Sequence, residues 1–461
     1  MACCKSNALV AELEPKRIKE PLFSFYDFIK NKLYNTPMKT LLALCGFLIF
    51  CSFILSIVAY FFDSLLLFAS LFAWLALFLL FHVINNKTLL YVLLTLTLIC
   101  FGIALFKGYA IPIEKMLTIN LYLLSLLIGV GFLRLIATPK ENHIRQLPQG
   151  KQSFFKTYWG IHLFGSVINL SSLLLVADKM VQYAPLSRLQ IMVLTRAFSS
   201  DAYWSPFFVA FAAALTYAPQ LHTFTILTFG LFLAVSAFMI TYLDVRNTTE
   251  LEAFKGYPIH FETLYVPFLL ALLVLVTHYF YSHIKIIVLI ALFSLLLCII
   301  ILPFKSKQSF RLFFNHITHE LPNMKNELAL FLIAGAFGVM LSSVLMGYNI
   351  QLPFTKLDGF SASVLLFILI VLSFVGIHPI ISIAIIGNWM NELNHTLLAV
   401  TFLMSWATAV STSPFSGLNL TMQSRYNLKA IELFKVNIFY ALKMYLICVL
   451  LLFILANYLE V

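Results

Sequence analysis

The chain has 461 residues, of which 61% are hydrophobic and only 11% charged, with a formal net charge of +11. A soluble domain carries about 25% charged residues, so a chain this poor in charge has no polar skin to offer water, and a soluble enzyme or binding module is excluded. The positive balance does not indicate nucleic acid as a partner, because Lys and Arg accumulate in the cytoplasmic loops of membrane proteins; the expected partner is the lipid bilayer.

Residues 1–38 are polar and basic and are expected to stay in the mature protein, since they lack the short apolar stretch and small-residue cleavage site of a signal peptide. Within them, 21–34 mixes Phe23, Phe25, Tyr26 and Phe28 with Lys30 and Lys32. That pattern suits a short helix in the headgroup layer or a disordered tail. Uncharged apolar runs such as 41–60 and 286–304 follow. They match the length of about 18 or more residues that a hydrocarbon core requires. Candidate spans fall near 39–62, 64–84, 88–106, 116–137, 157–177, 221–243, 262–281, 284–303, 327–348, 359–377 and 436–457. Two further apolar stretches, 186–218 and 395–424, are broken in the middle. The fold class expected is an all-α polytopic transmembrane helical bundle, with a two-fold inverted repeat and two broken or re-entrant hairpins.

The seven cysteines show no CxxC pairing. Five lie in apolar segments, where a thiol is a small hydrophobe, so neither a disulfide framework nor a metal cluster is expected. Lys16, Arg17, Lys19, Lys30, Lys32 and Lys39 precede the first span. Lys140, Arg145, Lys151 and Lys156 follow the fourth, and Lys305, Lys307, Arg311 and Lys325 fill 304–326. This bias sets the N-terminus in the cytoplasm of a multi-pass protein, expected in a bacterial inner (plasma) membrane. The organisation read from the chain is a cytoplasmic or interfacial segment 1–38, scaffold helices 39–137, a first transport repeat 138–303 with a hairpin at 186–218, a basic connector 304–326, and a second repeat 327–461 with a hairpin at 395–424. The scaffold helices are rich in Phe and Leu and suit lipid or the contact of a homodimer.

The broken stretches carry the functional argument. The first holds Arg196-Ala197-Phe198-Ser199-Ser200-Asp201 and then Ser205-Pro206-Phe207. The second holds Thr408-Ala409-Val410-Ser411-Thr412-Ser413-Pro414-Phe415-Ser416-Gly417-Leu418-Asn419. The Ser-Pro-Phe triplets lie 208 positions apart (414 minus 206). Each stretch also follows a small-polar patch, Gly165 to Ser172 for the first and Gly335 to Ser343 for the second. Proline removes an amide hydrogen and clashes with the preceding turn, and non-helical backbone at membrane depth survives only inside protein or beside a water-filled cavity. Exposed helix N-termini suit an anion, and loose carbonyls and hydroxyls suit a hard cation. Paired broken helices in corresponding halves point to a transporter's binding site. A proline-kinked spanning helix, with its serines bonded to their own backbone, is the alternative.

Two Ser/Thr-rich broken hairpins in a repeated scaffold resemble the ion transporter superfamily over about residues 157–457, a group that includes the divalent-anion/sodium symporters. The Ser-Asn-Thr signature of those symporters is absent; Ser199-Ser200-Asp201 and Ser411-Thr412-Ser413 stand where it would fall. The resemblance implies an elevator-type mechanism, with hairpin tips holding solute and coupling ion.

Candidate solute-binding residues are therefore Arg196, Ser199, Ser200, Ser205, Thr408, Ser411, Thr412, Ser413, Ser416 and Asn419. Candidate ion-coupling residues are Asp201, Asn169, Ser171, Ser342, His378 and Asn388. A charge at membrane depth is a functional hypothesis by default. Arg196 would hold a substrate carboxylate, Asp201 would take a proton or sodium ion, and the two could instead form a structural pair across the break. His378, beside Pro379, is a proton relay or a histidine bonded to a nearby carbonyl; Asn388 and Asn391 follow it. His316, His319 and Glu320 read as a solvated face. No phosphate-binding GxxxxGK[ST] loop is present, so no ATP-driven step is expected. The expectation is an ion-coupled secondary carrier of a small polar, anionic solute, with sodium or a proton as its coupling ion, no other cofactor and no enzymatic activity. The alternatives are a membrane-embedded enzyme acting on a lipid-linked substrate, a channel, or a membrane subunit of a complex.

Overall fold

The computed structural model describes residues 35–84, 87–137, 146–257, 265–350, 354, 356–390 and 392–461. The helix expected at 21–34, and Lys140, Arg145 and Asn391, lie outside them. Among the described residues the fold is all-α, with no strand and nine helical stretches long and apolar enough to cross a membrane. In chain order the main helices are α1 (Asn35–Ala59), α2 (Leu65–Leu80), α3 (Thr88–Lys107), α4 (Ile113–Thr118), α5 (Leu121–Ala137), α6 (Lys151–Ile168), α7 (Leu170–Val181), α8 (Arg188–Ser199), α9 (Val209–Tyr217) and α10 (Thr223–Val245). There follow α11 (Tyr265–Phe280), α12 (Ile286–Lys305), α13 (Ser309–Asn315), α14 (Lys325–Gly347), α15 (Gly359–Phe374), α16 (Pro379–Trp389), α17 (His395–Thr412), α18 (Gly417–Tyr426) and α19 (Ala430–Tyr458).

The helices share two end faces. On one face Lys305, at the end of α12, donates to Ile136 O at the end of α5, and Gly46 of α1 lies against the Ile317 carbonyl. On the other, Tyr60 donates to His283 O, the Tyr109 and Tyr348 rings meet at 5.3 Å, and Gln220 N donates to His395 Nδ1 at 3.0 Å. The first face carries Lys39, Lys151, Lys305, Lys325 and Arg425, and is the basic one.

Two helical pairs enter and leave by the same face. Gly150 N, at the base of α6, donates to Phe254 O at 2.8 Å, and Gln190 Nε2, at the base of α8, donates to the adjoining Lys255 O at 2.7 Å. Both helices therefore start on the basic face, and they pack side by side along their lengths. Between them α7 must return. Its 12 residues span only about 18 Å at helical rise, short of a core about 30 Å thick. Residues 151–181 are thus a re-entrant hairpin with its tip at Asn169, which takes a positive φ of 53°. In the same way α15 and α17 pack side by side, and Ser413 at the end of α17 donates to Ser373 O near the end of α15 at 2.6 Å. The return arm α16 ends with Gly387 against Tyr217. Residues 359–389 are a second re-entrant hairpin, entering from the opposite face and turning at Gly376, whose φ of 102° is glycine territory.

This corrects the location of the hairpins. Stretches 186–218 and 395–424 are broken at Ser-Pro-Phe as expected, but they cross rather than fold back. They run antiparallel. Asn437 Nδ2 bridges Thr195 Oγ1 and Ser411 O at 3.0 and 2.9 Å, Tyr203 OH meets Thr408 Oγ1 at 3.4 Å, and His222 N donates to Thr396 Oγ1 at 2.9 Å. A hairpin's arms must share an end face, and these arms do not. The repeat is inverted, and its register is clear: Ser166 and Ser373 lie 207 apart (373 minus 166), as do the starts of α10 and α19 (430 minus 223). The patch matching Gly165 to Ser172 is thus Ser373 to His378, not Gly335 to Ser343. Gly335 and Gly338 serve close packing; a Cβ on Gly338 would lie 2.6 Å from Ala384 O.

Helix α17 is buried from Thr396 to Thr412 and forms the axis of the bundle, as an apolar-all-round helix should. The early helices expose Phe78, Leu98 and Phe106 outward, in keeping with lipid-facing scaffold. His316 is buried against Phe132, ring centroids 4.6 Å apart, so a solvated face is not its environment. No group of metal-ligating side chains forms among the described residues.

Candidate functional site

The site is built where each broken helix meets a hairpin tip. At the first break Ser205 Oγ accepts from Phe207 N at 3.2 Å and donates to Ser166 O, in the last turn of α6. At the second, Ser413 Oγ accepts from Phe415 N at 3.2 Å and donates to Ser373 O, in the last turn of α15. The chemistry is the same twice. Proline and the turn after it leave backbone groups unpaired, and the serine before the proline satisfies one amide while tying the break to a hairpin. Replacing Ser205 or Ser413 by alanine removes two hydrogen bonds, each worth about 1 kcal/mol net. Each variant should lower the thermal midpoint in detergent, and the double variant should lose nearly the sum of the two. An unchanged midpoint would show that these serines tie nothing.

The first tip and break hold the most unusual chemistry. Asp201, in the 3-10 turn after α8, is fully buried. Its Oδ1 lies 2.8 Å from His162 Nδ1 of α6, yet neither carboxylate oxygen receives a well-directed hydrogen bond. His162 Nδ1 is also 2.9 Å from Ser200 Oγ, and its Nε2 accepts from the Trp204 indole N–H at 3.2 Å. Gly165 belongs to the same cluster, because a Cβ there would collide with Asp201 Oδ2. Asn169, at the tip, donates to Phe207 O at 3.4 Å, while its Oδ1 is buried without a partner. Helices α7 and α9 both begin here with no side-chain cap, so their first amides are left open.

Arg196 lies one turn before Asp201 but does not pair with it. Its Nη1 donates to Asp244 Oδ2 at 2.8 Å, its Nε to Asn437 Oδ1 at 3.0 Å and its Nη2 to Val436 O at 2.9 Å. The guanidinium also sits 4.4 Å from the Tyr440 ring centroid. Every guanidinium nitrogen is engaged, which makes Arg196 a pin between α8, α10 and α19 rather than an open anion receptor. Ser199 Oγ turns back onto Arg196 O at 3.2 Å.

The second break is satisfied mostly by its own residues. Ser416 Oγ donates to Val410 O and accepts from Asn419 N, and Asn419 Nδ2 donates to Ser411 O and Ser413 O. Asn419 Oδ1 remains buried and partnerless. Thr408 and Ser411 bond to the carbonyls of their own helix, and Thr412 meets Ser411 at 3.1 Å. His378 caps α16 by accepting from Ile380 N at 3.2 Å, and its ring meets Trp406 edge-on at 5.6 Å; among the described residues it has neither a carbonyl nor an acid as hydrogen-bond partner.

The remaining candidates lie elsewhere. Ser342 and Asn388 line a separate cavity of about 310 Å³ between α14 and α16, with Lys115 and Tyr109. Ser171 is 3.5 Å from Arg134 on the basic side of the hairpin. Sequence reasoning missed His162, Asp244 and Asn437. Each is a polar residue inside an apolar run, which is the signal that could have found it. No family model matches the chain, and no curated protein matches it.

Proposed function

We propose that this membrane protein is an ion-coupled secondary carrier of a small polar, anionic solute. The observation that carries the reading is the inverted pair of units, each a re-entrant hairpin tied by a serine to a broken crossing helix. Such interruptions in corresponding halves mark binding sites in carriers, and the backbone they loosen needs a polar occupant or water. The solute site is assigned to the tips and breaks: Asn169 and Ser200 in the first half, Gly376, Ser413 and Asn419 in the second. The uncapped starts of α7 and α9 favour an anion there. Asp201 is the coupling residue. Alternating access follows from movement of the hairpins and broken helices against the scaffold, in the manner the resemblance to the ion transporter superfamily implies.

A thermal-shift screen of succinate, citrate, phosphate and sulfate, with and without sodium, should find a stabilising anion. Uptake of that anion into proteoliposomes should then require an ion gradient, and Asp201→Asn should abolish or uncouple it while leaving the protein folded. Full gradient-driven uptake by Asp201→Asn would remove Asp201 from the mechanism, and uptake without any gradient would end the secondary-carrier reading.

A further inference from the structure

We infer that the coupling ion is a proton, carried by the Asp201 carboxyl, and that His162 and Trp204 hold the site in the form that accepts it; this rests on the carrier reading above. The argument begins with the indole. An indole N–H can only donate, and Trp204 Nε1 points at His162 Nε2 at 3.2 Å. Nε2 must therefore carry the lone pair, and the imidazole proton sits on Nδ1, facing Ser200 Oγ at 2.9 Å and Asp201 Oδ1 at 2.8 Å. An imidazolium would turn an N–H against the indole N–H. The histidine is thus held neutral, and it cannot neutralise Asp201 by charging itself.

The other groups facing Asp201 do not neutralise it either. On α6 they are His162 and Tyr158, the latter with a buried hydroxyl that has no hydrogen-bond partner. On its own segment Arg196 is committed to Asp244, Asn437 and Val436. On α10 the acid Asp244 faces Arg196 and Lys443. The α17 helix meets this segment through Thr408, 3.4 Å from Tyr203 OH, and its one titratable side chain, His395, lies at the far face. On α9 the titratable Tyr217 bonds Asn120 at 3.0 Å, also toward that far face. An ionised carboxylate with no exposure and no directed donor is among the costliest groups a protein can hold. A hard cation does not relieve it, because such ions take a shell of oxygen ligands, whereas the group beside Asp201 Oδ1 is the His162 Nδ1 proton at 2.8 Å, and the Trp204 N–H is spent on His162 Nε2. One proton on the carboxyl does relieve it. The step balances simply: a proton from water adds to a carboxylate oxygen, the buried charge disappears, and the same proton leaves to water when the site reopens. Its control lies in the hairpin, since His162 and Gly165, which cover the two carboxyl oxygens, both belong to α6. Movement of that arm exposes Asp201 to water and favours release of the proton.

The test combines infrared titration of the purified protein with proton flux into proteoliposomes. The wild-type protein should show a buried carboxylic-acid carbonyl band that titrates with one proton and is lost in Asp201→Asn. Trp204→Phe frees Nε2 to bind a proton, so an imidazolium–carboxylate pair can replace the acid, and the band should fade while Asp201 is still present. In proteoliposomes holding a pH dye, addition of the stabilising anion should move protons with wild-type protein and not with Asp201→Asn. A wild-type spectrum without the Asp201 band overturns the proton site, as does a band indifferent to Trp204→Phe. Uptake driven by sodium alone at constant pH overturns the choice of ion. A protein that titrates as expected yet carries no anion under any gradient overturns the carrier reading, and the coupling with it, while the infrared result keeps the proton site distinguishable.

Discussion

Arg196→Ala should be the most destabilising single substitution in the core, at about 3 kcal/mol or more. The guanidinium is 2% exposed and is held by three partners on two helices, Asp244 of α10 and Asn437 and Val436 of α19. Truncation strands Asn437 Oδ1 in the interior, leaves Val436 O with its helical hydrogen bond alone, and removes the cation from the Tyr440 face. Breaking a buried ion pair costs about 3–5 kcal/mol; the lower end applies because Asp244 is one-fifth exposed and keeps Lys443 at 2.5 Å. Arg196→Lys should recover only part of the loss, since an ammonium cannot reach Asp244, Asn437 and Val436 O in one plane. Thermal unfolding in detergent reads both variants. Sequence alone leaves the residue as either a substrate holder or a member of a structural pair. If Arg196→Ala left the melting midpoint intact and weakened anion binding instead, the guanidinium would be a receptor after all.

That contrast shows what the sequence could and could not carry. Membrane crossing was legible because it depends on composition and run length, and 41–60 or 286–304 declare themselves. The two breaks were legible because proline deletes a donor wherever it stands, so Ser205-Pro206 and Ser413-Pro414 mark interruptions in any tertiary setting. Which segments re-enter was not legible. Turning back is decided by what lies beside a helix, and only the packing of α6 beside α8 and of α15 beside α17 makes 151–181 and 359–389 hairpins. The first turn also lacks the usual signals: Asn169 takes a positive φ without glycine or proline. The partners of the charges were equally hidden. Arg196 and Asp201 are close in sequence, but the helix turn between them sends one side chain to Asp244, 48 positions away, and the other to His162.

The corrected hairpins also shift where motion should be sought. Each tip is tied to a break through a serine, and the first also through Asn169 to Phe207 O, so tip and broken helix form a unit. At the basic end of the first hairpin, Asp178 of α7 receives Arg425 of α18 through Nε and Nη2 at 2.8 and 2.7 Å, and Tyr426 OH at 2.9 Å. This contact joins the hairpin of one repeat to the broken helix of the other.

Fixing that contact covalently should abolish transport. The pair is half-exposed, at 51% for Arg425 and 36% for Asp178, and exposed pairs contribute only about 0–1 kcal/mol. A link that weak opens readily, so Asp178→Asn should leave uptake within a few-fold of wild type. A short, cleavable thiol crosslink between Asp178→Cys and Arg425→Cys cannot open. The native cysteines must be replaced first, because Cys51 is exposed. If the first hairpin has to part from α18 for its tip to meet water, the crosslinked protein should carry no solute in proteoliposomes, and cleaving the linker should restore uptake in the same preparation. Undiminished uptake by fully crosslinked protein would mean that this hairpin stays clamped through the cycle. Access to Asn169 and Asp201 would then have to come from the opposite face, through movement of α15 and α16.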